Sequence, residues 1–173
     1  MLRTRSPHAA IPLGLGVCCV LPAQGQWQPL PAFPQPEAVG SPGLAYDAAH
    51  QNVVLFGGDS NTGLHESTWT WDGSVWTQRL PASHPSARTM AGTACDAARQ
   101  RIVLFGGYAN GPFDDTWTYD GSNWTQRNPA HHPIALADAA LGFDRGRNRV
   151  VLFGGAQFQT SIRYDWTWEW DGS

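Results

Sequence analysis

The length, composition and charge of the chain exclude several classes of protein at the outset. Its 173 residues suffice for one domain with a hydrophobic core, and the absence of lysine excludes lysine nucleophiles and Schiff-base chemistry. The formal net charge of −3, with no run of basic residues, predicts that nucleic acid is not a partner.

The first 25 residues have the three-part pattern of a secretory signal peptide. Arg3 and Arg5 give a positively charged start, residues 9–21 are apolar, and the small residues Ala23 and Gly25 suit cleavage. The apolar run is too short to span a bilayer, and no later run is long enough. We therefore expect a secreted or periplasmic protein with a cleaved leader, no membrane span, and a mature part that begins at residue 26.

Cleavage of this leader would leave Cys95 as the single cysteine, so no internal disulfide is expected. Cys95 occupies the position that Tyr46 and Phe143 hold in the sister repeats described below. We therefore predict that it packs as a small apolar residue and has no metal-binding or nucleophilic role.

Three copies of one apolar motif divide the remainder of the chain. Each copy ends in two glycines, and Leu55, Leu104 and Leu152 mark a step of 49 and then 48 residues. A fixed period of this size is typical of a repeat architecture. The three copies are Val54-Leu55-Phe56-Gly57-Gly58, Val103-Leu104-Phe105-Gly106-Gly107 and Val151-Leu152-Phe153-Gly154-Gly155.

Each repeat is predicted to hold four short strands, which we call A to D. A is rich in small residues, B is apolar on both faces, C alternates threonine or glutamate with aromatic residues, and D starts with tryptophan. Asp-led turns join A to B, and Asp-Gly turns join C to D. The predicted A strands are 43–46, 93–95 and 141–143, the B strands are 53–56, 102–105 and 150–153, and the D strands start at Trp76 and Trp124.

Four antiparallel strands, a B strand buried on both faces and a repeat of about 50 residues favour radially stacked sheets, which are the blades of a β-propeller. The predicted fold class is thus an all-β propeller with three four-stranded blades. We place these blades at about 41–79, 90–127 and 138–173, with 26–30 as a lone outer strand around Trp27.

The repeat resembles the kelch repeat. The likeness rests on the glycine pair, the run Asp115-Thr116-Trp117-Thr118-Tyr119-Asp120, Trp124, and the Pro85 and Arg88 pair before strand A. The other copies depart from it, because Val39 and Leu136 replace the arginine. The resemblance implies a propeller of six or seven blades, like the central domain of galactose oxidase. It also implies functions that range from protein binding to copper-radical oxidation of sugars and sugar-acid isomerisation, among which the fold does not choose.

The order of strands leaves two interpretations of the ends. The sequence runs D, ABCD, ABCD, ABC, and three blades are fewer than the roughly four to eight that close a ring. Either the chain is part of a longer propeller, or two chains form a homodimeric ring in which each lends its Trp27 strand to the open third blade of the other.

Function is expected where the repeats differ, on the B–C loops. These loops carry aromatic, amide and charged residues, and such residues on exposed loops suit a binding surface. The candidate residues are Asp59, Asn61, His65, Tyr108, Asn110, Phe113, Phe158, Arg163 and Tyr164. The alternative is that they are ordinary solvated loop residues. His131 and His132 are expected to be structural link residues, because no further ligand type lies nearby.

The sequence favours a binding module that recognises a protein or a carbohydrate, with no catalytic residue, cofactor or metal of its own. Two alternatives stay open. One is a fragment of a propeller enzyme acting on sugars, either an oxidase or a sugar-acid isomerase, which would need Tyr and His side chains clustered at the ring axis. The other is a structural repeat protein of the cell envelope.

Overall fold

The computed structural model describes residues 35–173 together with Trp27, Pro29 and Leu30. The chain divides into two units at residue 31, and residues 35–173 belong to the second unit. The predicted signal peptide at 1–25 lies outside the described residues. Trp27, Pro29 and Leu30 are in no strand, so the outer strand at 26–30 stays a prediction.

The second unit is all-β, and no residue from 35 to 173 lies in a helix. Three antiparallel sheets follow one another along the chain, and in each sheet the strands lie in sequence order. Sheet 1 contains β1 (Gly43–Asp47), β2 (Asn52–Phe56), β5 (Thr68–Trp71) and β6 (Trp76–Arg79). Sheet 2 contains β7 (Gly92–Asp96), β8 (Arg101–Phe105), β9 (Thr116–Tyr119) and β10 (Trp124–Arg127). Sheet 3 contains β11 (Ala140–Asp144), β12 (Arg149–Phe153) and β15 (Thr167–Trp170).

Two short hairpins lie within the first and third B–C loops, and the sequence did not predict them. They are β3 (Asp59–Ser60) with β4 (Gly63–Leu64), and β13 (Ala156–Gln157) with β14 (Ile162–Arg163). Two-residue strands have no room for a hydrophobic period, so only the backbone pairing reveals them.

The A, B and D strands predicted between residues 43 and 153 are confirmed in type, and their bounds agree within one residue where the sequence predicted them. The apolar B strands lie inside their sheets, so Leu55 faces Leu44 on one side and Trp69 on the other. The glycine pair after β2 has φ values of 68° and 101°, the left-handed region that glycine adopts without strain, which lets the chain leave the strand. Asp47 accepts the N–H of Ala49 at 3.0 Å, as predicted for the A–B turn.

The two faces of the C strands are buried to different extents. In β5 the threonines at 68 and 70 are buried, whereas Trp69 and Trp71 are only half-buried. In β9 the threonines at 116 and 118 are likewise buried. Thr68 faces sheet 2, where its Oγ1 accepts the Trp124 Nε1–H, whereas on β9 the aromatic Tyr119 is also fully buried, in the core between sheets 1 and 2.

The hydrophobic core lies between consecutive sheets. Trp124 fills the junction of sheets 1 and 2, where it contacts Phe56 edge-to-face with ring centres 5.2 Å apart and Tyr119 at 5.0 Å. Its Nε1–H donates to Thr68 Oγ1 at 3.0 Å. The first strands of the three sheets also contact one another, because Thr93 Oγ1 in β7 donates to the carbonyl oxygen of Leu44 in β1.

The third sheet is less well covered than the other two. Phe153 in β12 is 54% exposed, whereas its equivalents Phe56 and Phe105 are 1% and 4% exposed. The prediction that B strands are buried on both faces therefore holds for β2 and β8 and only on one face for β12. Within the part of the chain that the structure describes, no helix is long and apolar enough to cross a membrane.

Candidate binding surface on the B–C loops

The three B–C loops lie at one edge of the sheets, and each is held by the chain that enters its sheet. Gly40 pairs with Asp59, Thr89 pairs with Tyr108, and Ala137 pairs with Ala156. Backbone hydrogen bonds of 2.7–3.0 Å form these pairs. The loops are thus presented on a scaffold whose backbone donors and acceptors are already satisfied, which favours a preformed surface.

Tyr108 and Phe158 join the second loop to the third. Their rings meet edge-to-face with centroids 5.7 Å apart and an interplanar angle of 82°, a favourable arrangement for two aromatic rings. Beside them, Gln159 Nε2 donates to the carbonyl oxygen of Asn110 at 3.5 Å. Three of the predicted residues, Tyr108, Asn110 and Phe158, are therefore brought together although they belong to different repeats.

Asp59 of the first loop belongs to the same surface through Thr89. The Thr89 hydroxyl donates to Asp59 Oδ1 at 2.7 Å, and the Thr89 backbone pairs with Tyr108. The carboxylate is exposed but hydrogen-bonded, so it lies in a defined position at the rim of the surface. Sequence reasoning missed Thr89, which lies on a link between sheets and not on a B–C loop.

A small cup lies in the third loop. It encloses about 100 Å³ and is lined by Ala156, Gln157, Phe158, Ser161 and Arg163. The cup combines one aromatic ring with an amide, a hydroxyl and a guanidinium, which are the groups that bind polar ligands with an apolar face.

Tyr164 contacts one of the residues that line this cup. Its hydroxyl donates to Gln157 Oε1 at 3.1 Å, and its ring stacks on Trp166 at 4.2 Å. Trp166 is 40% exposed and was not predicted as a site residue. The sequence could have indicated Trp166 as a site residue, because the equivalent residues in the other two repeats are the polar Ser67 and Asp115.

His65 belongs to a separate polar cluster on the first loop. Its Nε2 lies 2.8 Å from Ser60 Oγ and 3.6 Å from Glu37 Oε2, and Thr62 Oγ1 donates to the same glutamate at 3.1 Å. Asn61 is exposed on the hairpin turn beside this cluster. The structure shows no contact that joins these residues to the Tyr108–Phe158 pair.

Phe113 contributes to packing and not to the open surface. Its ring lies under the guanidinium of Arg88, whose carbon is 3.9 Å from the ring centroid. Arg88 is 1% exposed and makes a two-pronged ion pair with Asp115, with Nη2 to Oδ2 at 2.9 Å. Trp117 Nε1 donates to the same carboxylate at 2.7 Å. Phe113 thus helps to hold a buried charge in place.

A second concave surface lies along the first strands of the three sheets. This groove encloses about 340 Å³, and its lining includes Tyr46, Cys95 and Arg145 but no histidine. Cys95 is half-buried and packs against the core between sheets 1 and 2, in agreement with its predicted packing role. Within residues 35–173 no three His, Cys, Asp or Glu side chains are grouped so as to hold a metal ion.

The carboxylates with shifted pKa values lie at the opposite edge of the sheets, in the turns. The N–H of Asn123 and the groups of Ser122 hold the pKa of Asp120 below its usual value, and Asp72 behaves in the same way towards Val75 and Ser74. These shifts arise from ordinary turn hydrogen bonds and give no indication of catalysis. Burial raises the pKa of Tyr119, whose hydroxyl is engaged inside the fold.

Comparisons with known proteins do not assign the chain. No model of a protein family matches it. No curated protein sequence matches it either.

Proposed function

We propose that the chain is a secreted kelch-type β-propeller segment that acts as a binding module, with the B–C loop surface as its recognition site for a protein or a glycan. The arrangement of the three sheets supports a propeller-type architecture. Their first strands contact one another in sequence order, β1 with β7 and β7 with β11. The signal-peptide pattern in the sequence of residues 1–25 supports the proposed export. The kelch-like residues Arg88, Asp115 and Trp124 have structural roles in the second sheet and its junction with the first, which is consistent with a motif that serves the fold.

The Tyr108–Phe158 pair is the observation that carries the binding role. It spans two repeats, it is only partly buried, and it borders the cup lined by Gln157 and Arg163. A rigid aromatic contact that is flanked by amide and guanidinium groups matches the composition of binding hot spots. Both a sugar ring and a protein side chain offer the apolar face that such a ring would contact, with polar groups at the edge.

The enzyme alternative lacks a supporting constellation in the groove along the first strands. A sugar oxidase or isomerase would need Tyr and His side chains converging at the axis side of the sheets. Tyr46 is present there, yet none of the residues that line the groove is a histidine. We therefore propose recognition without catalysis.

Binding of the full chain to an immobilised panel of oligosaccharides, and separately to proteins of the extracellular medium, tests the proposal. Phe158→Ala should weaken the binding of any captured ligand by about tenfold or more, because truncation of a central aromatic residue typically costs that much. Ile162→Ala is the matched control, since Ile162 is 46% exposed on the same hairpin but does not line the cup.

The control should leave the dissociation constant unchanged. A ligand whose affinity survives Phe158→Ala and Arg163→Ala would contradict a site on the B–C loops. If ligand binding is abolished only by substitution of residues that line the groove along the first strands, such as Tyr46, recognition takes place in that groove. This result would favour the enzyme alternative.

A further inference from the structure

Asn110 differs from the other five asparagines of the described chain in the residue that follows it. Glycine comes next, whereas the others precede a valine, a threonine, a tryptophan, a proline or an arginine. The six pairs are Asn52-Val53, Asn61-Thr62, Asn110-Gly111, Asn123-Trp124, Asn128-Pro129 and Asn148-Arg149. A side chain on the following residue obstructs the approach of its backbone nitrogen to the asparagine amide, and glycine has no side chain.

The Asn110-Gly111 pair lies in the second B–C loop, outside any strand, and Asn110 is exposed. The loop closes on both sides of the pair, because the Ala109 N–H donates to the carbonyl oxygen of Gly111 at 3.0 Å and Tyr108 pairs with Pro112. The Gly111 N–H itself donates to no backbone acceptor among the described residues. The nitrogen next to the Asn110 side chain is therefore not engaged by the backbone ladder.

At the other asparagines the fold engages or lacks the corresponding N–H. After Asn61 the next N–H donates to Ser60 Oγ at 3.1 Å, and after Asn123 the next N–H donates to the carbonyl oxygen of Ser83 at 3.2 Å. Pro129 has no N–H. The two remaining asparagines lie at the start of β2 and directly before β12, where the strand backbone is paired.

The three aspartate-glycine pairs of the described chain are also restrained. They are Asp72-Gly73, Asp120-Gly121 and Asp171-Gly172. In each of these turns the aspartate Oδ1 accepts the N–H of the serine two residues later, at 2.8–3.0 Å. A carboxyl group held in this way is ionised at neutral pH, and an ionised carboxylate is a poor target for a nitrogen nucleophile.

We propose that Asn110 is a site of spontaneous deamidation through a cyclic imide. The backbone nitrogen of Gly111 bonds to Asn110 Cγ, the Cγ–Nδ2 bond breaks, and the amide nitrogen takes up the displaced proton and leaves as ammonia. Water from the solvent then opens the imide at either carbonyl carbon. Opening at the backbone carbonyl gives isoaspartate, in which the main chain passes through Cβ and Cγ, and opening at Cγ gives aspartate.

The modification changes the surface where the second and third loops meet. The product carries a negative charge beside Gln159, whose Nε2 donates to the carbonyl oxygen of Asn110 at 3.5 Å. Isoaspartate also lengthens the main chain inside the segment that Tyr108 and Pro112 close. Because Tyr108 forms the ring pair with Phe158, the contact between the two loops should loosen as the protein ages. Any effect on ligand affinity rests on the proposed function, whereas the modification itself does not.

Incubation of the full chain at neutral and mildly alkaline pH, followed by tryptic digestion and tandem mass spectrometry, tests the proposal. Trypsin cuts after arginine, so Asn110 and Asn123 fall in one peptide, residues 102–127, and the fragment masses show which of them has changed. We expect conversion at Asn110 and none at Asn123 over the same period. The rate should rise with pH, because the attacking nitrogen must lose its proton, and enzymatic methylation should detect isoaspartate.

Gly111→Ala is the test variant, since it places a side chain beside the attacking nitrogen. The φ of Gly111 lies outside the left-handed region, and the added Cβ would meet only the flexible end of Gln159, at 3.1 Å, so the fold should be kept. Deamidation should slow by about tenfold or more, which corresponds to about 1.4 kcal/mol or more in the activation barrier. Gly142→Ala in β11 is the matched control, because its Cβ would enter open space and the rate at Asn110 should not change.

The same measurement on the chain unfolded in urea separates the effect of the fold from that of the sequence. Unfolding releases the N–H groups after Asn61 and Asn123, so the preference for Asn110 over these two sites should be larger in the folded protein. An Asn110 that reacts only in urea would overturn the proposal, because the fold would then protect the pair.

Two other results would also overturn it. Aspartate formed without isoaspartate would indicate direct hydrolysis of the side-chain amide, with no imide. An unchanged rate in Gly111→Ala would show that the backbone nitrogen of residue 111 is not the nucleophile. Ligand binding by the B–C loops is measured separately on fresh protein with Phe158→Ala, so either proposal fails without the other.

Discussion

The ion pair of Arg88 and Asp115 allows a direct test of whether these two residues stabilise the second repeat as a pair. Arg88 is 1% exposed and Asp115 is 16% exposed, and the pair is completed by hydrogen bonds to Ser86, Gly106 and Trp117. Arg88→Val leaves the Asp115 carboxylate with one donor, and Asp115→Ser leaves a guanidinium buried without its counter-charge. Each single change should cost about 3 kcal/mol or more of folding free energy, because each strands a buried charge.

The double variant Arg88→Val with Asp115→Ser reproduces the arrangement of the first repeat. Val39 stands there at the position of Arg88, and Ser67 Oγ accepts the Trp69 Nε1–H at 3.2 Å in place of the carboxylate. No charge is then buried, so the double variant should be more stable than the sum of the single effects by about 2 kcal/mol or more.

Urea unfolding followed by circular dichroism measures the free energies of all four proteins. The comparison requires that the free energy of unfolding decreases with urea concentration at the same slope in all four proteins. A changed slope would report a changed unfolded or native state. Single effects that simply add in the double variant would refute the reasoning. They would mean that Arg88 and Asp115 stabilise the fold independently and not as a pair.

Two further predictions follow from the core and the turns. Trp124→Ala should cost about 3–5 kcal/mol by urea unfolding, the usual range for removal of a buried tryptophan, and a cost below about 1 kcal/mol would contradict its place at the junction. The carboxylate of Asp120 has a lowered pKa because the N–H of Asn123 donates to it, so it stabilises the fold above the unfolded pKa of about 4 and loses this effect as the pH falls through the folded pKa. The stability difference between wild type and Asp120→Asn should therefore be constant above about pH 5 and shrink below about pH 4, and a difference independent of pH would count against the turn role.

Local signals explain why so much of the fold was predictable. The apolar run that ends in Gly57 and Gly58 marks a buried strand and its exit, and the φ values of these glycines confirm the exit. The Asp120-Gly121 turn is likewise a property of two neighbouring residues. Each of these features depends on residues within one strand or turn, and three copies of the same pattern reinforce the prediction.

The binding surface was less predictable because its contacts join distant residues. Tyr108 and Phe158 are 50 positions apart, and only the stacking of sheets 2 and 3 brings their rings together. The nine predicted residues therefore separate into a joined group around these two rings, a polar cluster around His65, and Phe113 beneath Arg88. Sequence position placed the nine residues on the three B–C loops but did not show which side chains share a face.

Comparison of one position across the repeats shows how a functional surface can arise on such a scaffold. The carbonyl oxygens of Ser67, Asp115 and Trp166 each accept the N–H of the first glycine after strand B, so the backbone role is constant. The side chains differ, because Ser67 serves the indole of Trp69, Asp115 pairs with the buried Arg88, and Trp166 stacks on Tyr164 while staying 40% exposed.

Trp166 lies in a repeat that has no arginine at the position of Arg88. Leu136 occupies the position of Arg88 in the third repeat and is fully buried, so no charge there requires a carboxylate partner. The position is thereby released from a structural task and carries an exposed aromatic ring beside the cup of Phe158. A side chain that makes no core contact or ion pair is free to contact a ligand, which supports the proposal of a binding site on the third loop and its junction with the second.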